Sequence, residues 1–148
     1  MNNCVFCKVG NGNLPSFKIY ETENYLAFLD LNPIVEGHTL LIPKKHVETI
    51  TELSLDALNK LGSALVEVEK ILIKKYDQNI NIYYKVGKYA SQEVPHAHYH
   101  FLPRKKVDRL WDKNISKIVL DKSSEFERLI ISKEELSKLH KELTGENK

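Results

Sequence analysis

Three histidines alternate with apolar residues in a short segment that ends at Pro103, and this pattern limits how the segment can fold. His96, His98 and His100 occupy every second position. In an extended strand such side chains point to the same face, so the three imidazole rings would lie roughly 6–7 Å apart. The residues that face the other way are apolar: Ala97, Tyr99 and Phe101. Histidines of an expression tag lie at a terminus without this alternation, so the pattern predicts a half-buried strand with a functional row of imidazoles.

The length and composition of the chain restrict its class. A chain of 148 residues with 42% hydrophobic and 28% charged residues suits one globular domain with its own core. The net charge of +2 gives no reason to expect a nucleic-acid partner. No apolar run approaches the roughly 20 residues that a membrane crossing needs, and the first residues lack the features of a signal peptide. We therefore expect a cytoplasmic protein with no membrane partner, whose two cysteines stay reduced.

The hydrophobic pattern predicts five strands and one long helix. The strand-like segments are residues 17–21, 25–30, 38–42, 80–86 and 94–102. Ser54 fits a helix N-cap, and Asp56 places a negative charge in the first turn. Apolar residues then recur at three- and four-residue steps: Leu58, Leu61, Leu65, Val68 and Leu72. This order favours the α+β class, with an antiparallel sheet of about five strands and a long helix packed on it.

The pattern changes after the histidine segment. Ser132 and Glu135 fit a capping box that opens a short helical tail, and Gly145 ends this helix. A piece of about 40 residues rarely folds alone. We therefore divide the chain into a domain at 1–104 and a C-terminal extension at 105–148, which belongs to the same domain or serves as a dimer element.

An in-line row of histidines can carry two kinds of chemistry. The rings can hold a catalytic metal with an open position, or one neutral imidazole can attack an electrophile such as phosphorus and form a covalent intermediate. The neutral form dominates near pH 7, because the reference pKa is about 6.5. Spacing alone does not decide between the two. Cys4 and Cys7 have Cys-x-x-Cys spacing, but two cysteines are only half of a four-ligand zinc site. A thioredoxin-like motif would need a strand before it, and position 4 leaves no room for one.

Three separated segments match one known family in order and spacing. The histidine segment at 91–104 reads SQEVPHAHYHFLPR. Upstream, LAFLD at 26–30 is followed by NP at 32–33 and by EGHTLLIPKKH at 36–46. Together these segments resemble the histidine triad (HIT) family of nucleotide-binding proteins and hydrolases, whose signature alternates three histidines with apolar residues after an upstream glutamine. The resemblance covers roughly residues 4–104, and it implies the small branch of the family with a Cys-x-x-Cys zinc site.

The resemblance implies transfer or hydrolysis at the α-phosphate of a purine nucleotide, either a nucleoside phosphoramidate or a dinucleoside polyphosphate, with an AMP-type product. His98 would be the nucleophile and would form a nucleotidyl-histidine that water then hydrolyses. His100 and His38 would support phosphate binding, and Gln92 would hydrogen-bond near the bridging or leaving atom. Asp30 would bind the ribose hydroxyls. The apolar positions that would enclose the base are Phe6, Val9, Leu14, Phe28 and Leu29.

The resemblance also implies a metal site and a dimer. In zinc-carrying members, the cysteine pair is completed by a histidine after the Pro-Lys-Lys segment and by the first triad histidine. The ligands of a structural zinc would therefore be Cys4, Cys7, His46 and His96, with no catalytic cofactor. Small-branch members are symmetric homodimers, and we expect the same here. His140 lies outside every motif, and we expect it to be solvated.

Three positions depart from the family pattern. Ser91 replaces the usual glycine, Glu93 stands where serine or threonine is common, and Lys85 stands where asparagine is common. These changes leave the chemistry intact but bear on the leaving group and the rate. Because the family contains slow members, the alternative to a nucleotidyl hydrolase or transferase is a nucleotide-binding module with little turnover that acts through a partner. A zinc hydrolase with the triad as ligands is the third hypothesis.

Overall fold

The computed structural model describes residues 3–106, 108, 110–112, 117–118 and 128–146. The helices are α1 (Val5–Gly10), α2 (Leu55–Tyr76) and α3 (Lys133–Thr144), with short 3-10 turns at Ile50–Glu52 and Lys88–Ala90. The strands are β1 (Lys18–Glu21), β2 (Tyr25–Leu29), β3 (Thr39–Pro43), β4 (Ile80–Tyr84), β5 (Tyr99–Pro103), β6 (Trp111–Asp112) and β7 (Lys117–Ile118). Over these ranges, none of the helices combines the length and the apolar character that a membrane crossing requires.

The first five strands form one antiparallel sheet in the order β1-β2-β3-β5-β4. Because β5 is inserted between β3 and β4, the strand that carries the last histidine has a neighbour on each side. β6 and β7 pair separately in a two-stranded ribbon. The predicted α+β class, a five-stranded antiparallel sheet with a long helix, is confirmed.

Helices α2 and α3 cover one face of the sheet. Ser54 caps α2 by accepting a hydrogen bond from the Ala57 N–H at 3.3 Å, as predicted. The buried side of α2 consists of Leu61, Ala64, Val68, Leu72 and Tyr76. The buried leucines of α3 join the same core: Leu136, Leu139 and Leu143. The C-terminal helix therefore shares the main core with α2 and β1.

The opposite face of the sheet carries a row of side chains that crosses four strands. Phe28 of β2 pairs with Leu40 of β3, and Leu40 pairs with His100 of β5. His100 in turn pairs with Tyr83 of β4. Helix α1 lies at the apolar end of this row, where Phe6 packs against Phe28 and Leu40. The row therefore runs from an apolar end at β2 to a polar end at β4.

The histidine segment is extended over a shorter range than predicted, because β5 begins at Tyr99 rather than at residue 94. The His96 N–H donates to the Val94 carbonyl at 2.8 Å, which makes a local turn. The Ala97 N–H donates to the Val47 carbonyl at 2.7 Å. This stretch is thus bound to the chain that follows β3 instead of to the ladder of the sheet.

The positions of four histidines differ from the predicted pattern. The rings of His98 and His100 lie 4.8 Å apart, closer than in a fully extended strand. His96 is turned toward the two cysteines, so the prediction of one even row was wrong. The expectation that His140 is solvated was also wrong. Its Nε2–H donates to the Lys18 carbonyl at 2.6 Å because α3 packs against β1.

Candidate active site

His98 is held in a single tautomer. It is buried, and its Nδ1–H donates to the His96 carbonyl oxygen at 2.7 Å. A carbonyl oxygen can only accept, so the proton lies on Nδ1 and Nε2 keeps its lone pair. Burial lowers the pKa of His98 below its ordinary value, so the ring is neutral near pH 7. A neutral imidazole with a bare Nε2 has the form that a nucleophile requires.

A chain of hydrogen bonds fixes the tautomers of His38 and His100. The Ile34 N–H donates to His38 Nδ1 at 3.2 Å, so the proton of His38 lies on Nε2 and is donated to His100 Nδ1 at 2.9 Å. His100 therefore carries its own proton on Nε2, a buried atom without a hydrogen-bond partner among the described residues. Burial lowers the pKa of His38 to about 4 and that of His100 to about 2. Both rings are neutral, and His100 offers an unused N–H donor.

The last two triad histidines line a cavity of about 360 Å³ on the sheet face that is opposite α2 and α3. Its apolar lining consists of Phe6, Leu40 and Val94. Its polar lining, besides the histidines, includes Asp30, Tyr83, Lys85, Glu93 and Arg128. We call this space the histidine cavity. It presents an apolar wall, a neutral imidazole with a bare Nε2, hydrogen-bond donors and charges of both signs around one volume.

Asp30 lies directly after β2 at the wall of the histidine cavity. One carboxylate oxygen accepts from the Asn32 N–H at 2.8 Å, and the other lies 3.3 Å from His38 Nδ1. The structure thus places this carboxylate beside the histidines, where it can accept hydrogen bonds from a ligand.

The residues predicted to enclose the base have different surroundings. Phe6 lines the histidine cavity, while Phe28 and Val9 pack behind it in the same apolar cluster. Leu14 is exposed, and Leu29 is buried in the core under α2. Leu29 lies on the far face of the sheet because successive side chains of β2 alternate. The structure therefore brings only part of the predicted set to the cavity.

Gln92 is not part of the lining of the histidine cavity. Its side-chain oxygen accepts from the Gly87 N–H at 2.7 Å, and its Nε2 donates to the Glu48 carbonyl at 3.0 Å. These bonds connect the loop after β4 to the chain that follows β3. The predicted contact between Gln92 and a leaving atom would require this side chain to rotate.

A second cluster lies next to the histidine cavity and gathers three distant parts of the chain. Cys4 and Cys7 come from the start of α1, His46 follows β3, and His96 precedes β5. Their ligand atoms all lie within 4.8 Å of one another. Nδ1 of His46 is 3.2 Å from Cys7 Sγ and 3.3 Å from His96 Nδ1. The distance from Cys4 Sγ to His96 Nδ1 is 3.5 Å.

Two observations test whether this cluster fits a metal ion. Tetrahedral zinc sites, with bonds of about 2.0–2.1 Å to nitrogen and about 2.3 Å to sulfur, place ligand atoms about 3.3–3.8 Å apart. Four of the separations in the cluster, 3.2 to 3.6 Å, are close to that range, and all pairs lie within 4.8 Å. His96 Nε2–H donates to the Pro43 carbonyl at 2.8 Å, which leaves Nδ1 unprotonated and able to bind a metal. The four residues could therefore hold a metal ion, and four protein ligands are typical of a structural site.

Tyr83 and Arg128 are among the lining residues of the histidine cavity to which the sequence analysis gave no role. Tyr83 stacks on His100, with ring centroids 4.6 Å apart and planes inclined by 12°. The pairing of β4 with β5 could have revealed it, since both strands were predicted. Arg128 comes from the C-terminal extension, far from every motif. No sequence signal placed it at the cavity.

Comparisons with known proteins agree with this geometry. A family model described as the HIT domain matches residues 11–107. A HIT-like protein from Borreliella burgdorferi is 40% identical over 128 residues, which cover 82% of this chain and 89% of that protein. An adenosine 5'-monophosphoramidase from Candida albicans is 36% identical over 110 residues, 70% of this chain and 71% of that protein.

The structural comparison extends over the whole chain. A crystal structure of a zinc-bound histidine triad family protein from Mycobacterium smegmatis has a TM-score of 0.73 and 29% sequence identity, and the match covers 99% of this chain and 96% of that one. The chain therefore belongs to the histidine triad family and is an enzyme of that family, a hydrolase.

Proposed function

We propose that this hydrolase acts at the α-phosphate of a purine nucleotide, of the nucleoside phosphoramidate or dinucleoside polyphosphate type. The observation that carries the proposal is the tautomer of His98, whose Nδ1–H is bound to the His96 carbonyl while Nε2 is left as a nucleophile in the histidine cavity. The similarity to an adenosine 5'-monophosphoramidase supports this substrate class.

The proposed reaction proceeds through a covalent nucleotidyl-histidine. For a phosphoramidate, His98 Nε2 forms a bond to phosphorus while the bond from phosphorus to the amine breaks. The electron pair of that bond goes to the amine nitrogen, which takes up a proton from solvent. The oxygen of a water molecule then forms a bond to the same phosphorus while the bond from phosphorus to His98 Nε2 breaks. The electron pair of that bond returns to Nε2 and restores the neutral ring, and the water gives up a proton to solvent as the nucleoside monophosphate leaves. The Nε2–H of His100, fixed through His38, donates to a phosphate oxygen in both steps.

The remaining predicted contacts complete the proposal. Asp30 accepts from the ribose hydroxyls, and Phe6 packs against the base at the apolar end of the cavity, with Phe28 behind it. Gln92 reaches the leaving atom only after it gives up its bonds to Gly87 and Glu48. We therefore expect Gln92 to affect the rate more than the affinity.

We further propose that the ion held by the second cluster is zinc, and that its role is structural. Two cysteines and two histidines are a common ligand set of structural zinc. Bound to Cys4, Cys7, His46 and His96, the ion would hold α1 against the segment that precedes β5. The ion would cross-link these four residues at a fixed geometry and would take no part in the reaction.

The test of the proposed reaction compares wild type with His98→Ala and with a control, His140→Gln, whose histidine lies outside the cavity. We expect His98→Ala to lower the turnover of adenosine 5'-phosphoramidate by at least about 10³-fold while AMP still binds. Wild type quenched in alkaline denaturant should carry one AMP moiety on the peptide that contains residue 98. AMP binding without any turnover by wild type would instead favour a binding module.

A further inference from the structure

One hydrogen bond holds the ring of His100 among the described residues. His38 Nε2–H donates to its Nδ1 at 2.9 Å, while its own Nε2–H is buried without a partner. The last side-chain torsion of a histidine has a broad range, so a bond at one edge leaves the ring able to tilt. The direction of the free Nε2–H therefore depends on what touches the faces of the ring.

Tyr83 covers one face of this ring. The centroids of the two rings are 4.6 Å apart, and their planes are inclined by only 12°. The two residues are direct partners across β4 and β5, where opposite side chains of a sheet come into contact. A nearly parallel ring at this distance leaves no space into which the imidazole could tilt. Tyr83 thus restricts the motion that the hydrogen bond from His38 leaves free.

Tyr83 is itself held by the C-terminal extension. It packs against a buried cluster that consists of Ile34, Val35, Leu102 and Leu110. Leu110 belongs to the extension, and its N–H donates to the Asp108 carboxylate at 3.0 Å. Arg104 fixes the same carboxylate through two hydrogen bonds of 2.6 Å. The extension therefore supports the ring that faces His100.

The contact between Tyr83 and His100 joins two neutral rings. Burial has the largest effect on Tyr83 and raises its pKa to about 12; Asp30 and Glu93 act in the same direction, and Arg128 opposes them. The phenol is therefore protonated near pH 7. Stacking of neutral aromatic rings at this separation is favourable and directional.

We propose that Tyr83 is a positioning residue, whose ring keeps the imidazole of His100 in the orientation that aims its Nε2–H into the histidine cavity. The inference rests on the proposed function, in which a phosphate oxygen accepts this N–H. Tyr83 acts through His100, and it acts by its ring rather than by its hydroxyl. A donor stabilises a transition state only when its direction is correct, so loss of the ring should affect kcat more than KM.

The experiment compares wild type with Tyr83→Phe, which keeps the ring, and with Tyr83→Leu and Tyr83→Met, which remove it. Two ringless variants are used because the flexible methionine fills space in a different way from leucine. The matched control is Tyr84→Leu. Tyr84 stacks on Tyr99 across the same two strands, with centroids 4.9 Å apart and planes inclined by 17°, but it does not line the histidine cavity.

Two quantities are measured for each variant. For adenosine 5'-phosphoramidate, we expect both ringless variants to lower kcat by about tenfold while KM changes by less than about twofold. Tyr83→Phe and Tyr84→Leu should keep kcat within about twofold of wild type. NMR shifts of the two ring nitrogens of His100 should show one tautomer in wild type and in Tyr83→Phe. In the ringless variants they should move toward the average of two tautomers, because a tilted ring weakens the bond from His38.

Several results would overturn the positioning role. Unchanged nitrogen shifts of His100 in the ringless variants would do so, and so would shifts that move while kcat stays the same. A loss of kcat in Tyr83→Phe as large as in Tyr83→Leu would assign the role to the hydroxyl. The same loss in Tyr84→Leu would indicate a general effect of stability. The NMR measurement needs no turnover. If wild type neither hydrolyses the phosphoramidate nor binds AMP, the proposed function fails, and the shifts of His100 still decide whether Tyr83 orients its ring.

Discussion

His38 and His100 form a buried pair of imidazoles that is stable only while both rings are neutral. The two rings are stacked, with centroids 5.2 Å apart, and share one hydrogen bond. A proton added to either ring would place a charge on a buried side chain, where it is poorly solvated. Asp30 favours the protonated form of His38, whereas Lys85 and Arg128 oppose it, and burial has the largest effect. The pair therefore couples the stability of the fold to pH.

We expect His38→Gln to make stability less dependent on pH below about pH 6.5. The pKa of His38 is about 4 in the folded protein and about 6.5 in the unfolded chain. Between these values the unfolded state binds a proton that the folded state does not bind. As the pH falls, wild type therefore loses up to about 1.4 kcal/mol per pH unit from this residue, and the variant is spared that loss. Urea unfolding of both proteins at about pH 7, 6 and 5 measures the difference, and parallel curves would contradict it.

Single residues also show where sequence reasoning ends. The alternation of the histidines and the family resemblance led to the proposal that His98 is the nucleophile, because a local motif carries that prediction. Neither could place Arg128, because its position depends on the docking of Leu129 against Pro33. Contacts between segments far apart in sequence leave no local pattern.

At the scale of elements, the loop between β2 and β3 is fitted closely to the end of α2. Gly37 has a φ of +80°, and a Cβ atom there would lie 2.7 Å from the ring of Tyr76. The Tyr76 hydroxyl also donates to Glu36 at 3.0 Å. This contact fixes the loop that leads directly into His38. The contact with Tyr76 therefore positions both the turn at Gly37 and the ring of His38.

Gly37→Ala tests that fit against Gly87→Ala. Both glycines have a positive φ, but a Cβ at position 87 meets nothing within 4 Å. We expect Gly87→Ala to lower the free energy of unfolding by about 1–2 kcal/mol through backbone strain alone. Gly37→Ala should cost a further 1–3 kcal/mol, roughly, from the clash with Tyr76. Equal losses of unfolding free energy for the two variants, measured by urea unfolding, would show that the Tyr76 ring moves aside at little cost.

Whether residues 105–148 belong to the same domain as residues 1–104 depends on how helix α3 packs. Its leucines are buried in the main core, so we expect Leu139→Ala to lower the free energy of unfolding by about 2–5 kcal/mol in a single transition. The exposed Lys138→Ala should have an effect within about 0.5 kcal/mol. If α3 is an independent appendage, Leu139→Ala will leave the main transition unchanged in circular dichroism and in fluorescence.

At the scale of the whole molecule, the second cluster, formed by Cys4, Cys7, His46 and His96, links the start of α1 to the segment after β3 and to the segment before β5. We expect a strong chelator to lower the unfolding temperature of wild type by at least about 5 °C, as for the loss of some 2 kcal/mol. Added zinc should reverse the effect. Cys7→Ser should unfold at the lower temperature and no longer respond to the chelator. Less than one zinc per chain in protein purified without added metal, with unchanged stability, would contradict the proposed site.

Most of the fold was predictable because it follows from local patterns. The strands between residues 17 and 42 and the capped helix α2 follow from alternation, helical spacing and Ser54. The start of β5 was not predictable, because Ala97 bonds to Val47 rather than to a sheet neighbour. The contact of His140 with Lys18 was missed for the same reason, since nothing within α3 indicates what lies opposite it.

One residue of the molecule serves two purposes at once. The ring of His96 belongs to the cluster that can hold a metal, and its backbone oxygen accepts the hydrogen bond that fixes the proton of His98 on Nδ1. Exchange of His96 for another amino acid would therefore remove one ligand of the proposed metal site and disturb the backbone that fixes the His98 tautomer. Oxidation of the neighbouring thiols would reach the His98 ring by the same route, through two peptide units of shared backbone.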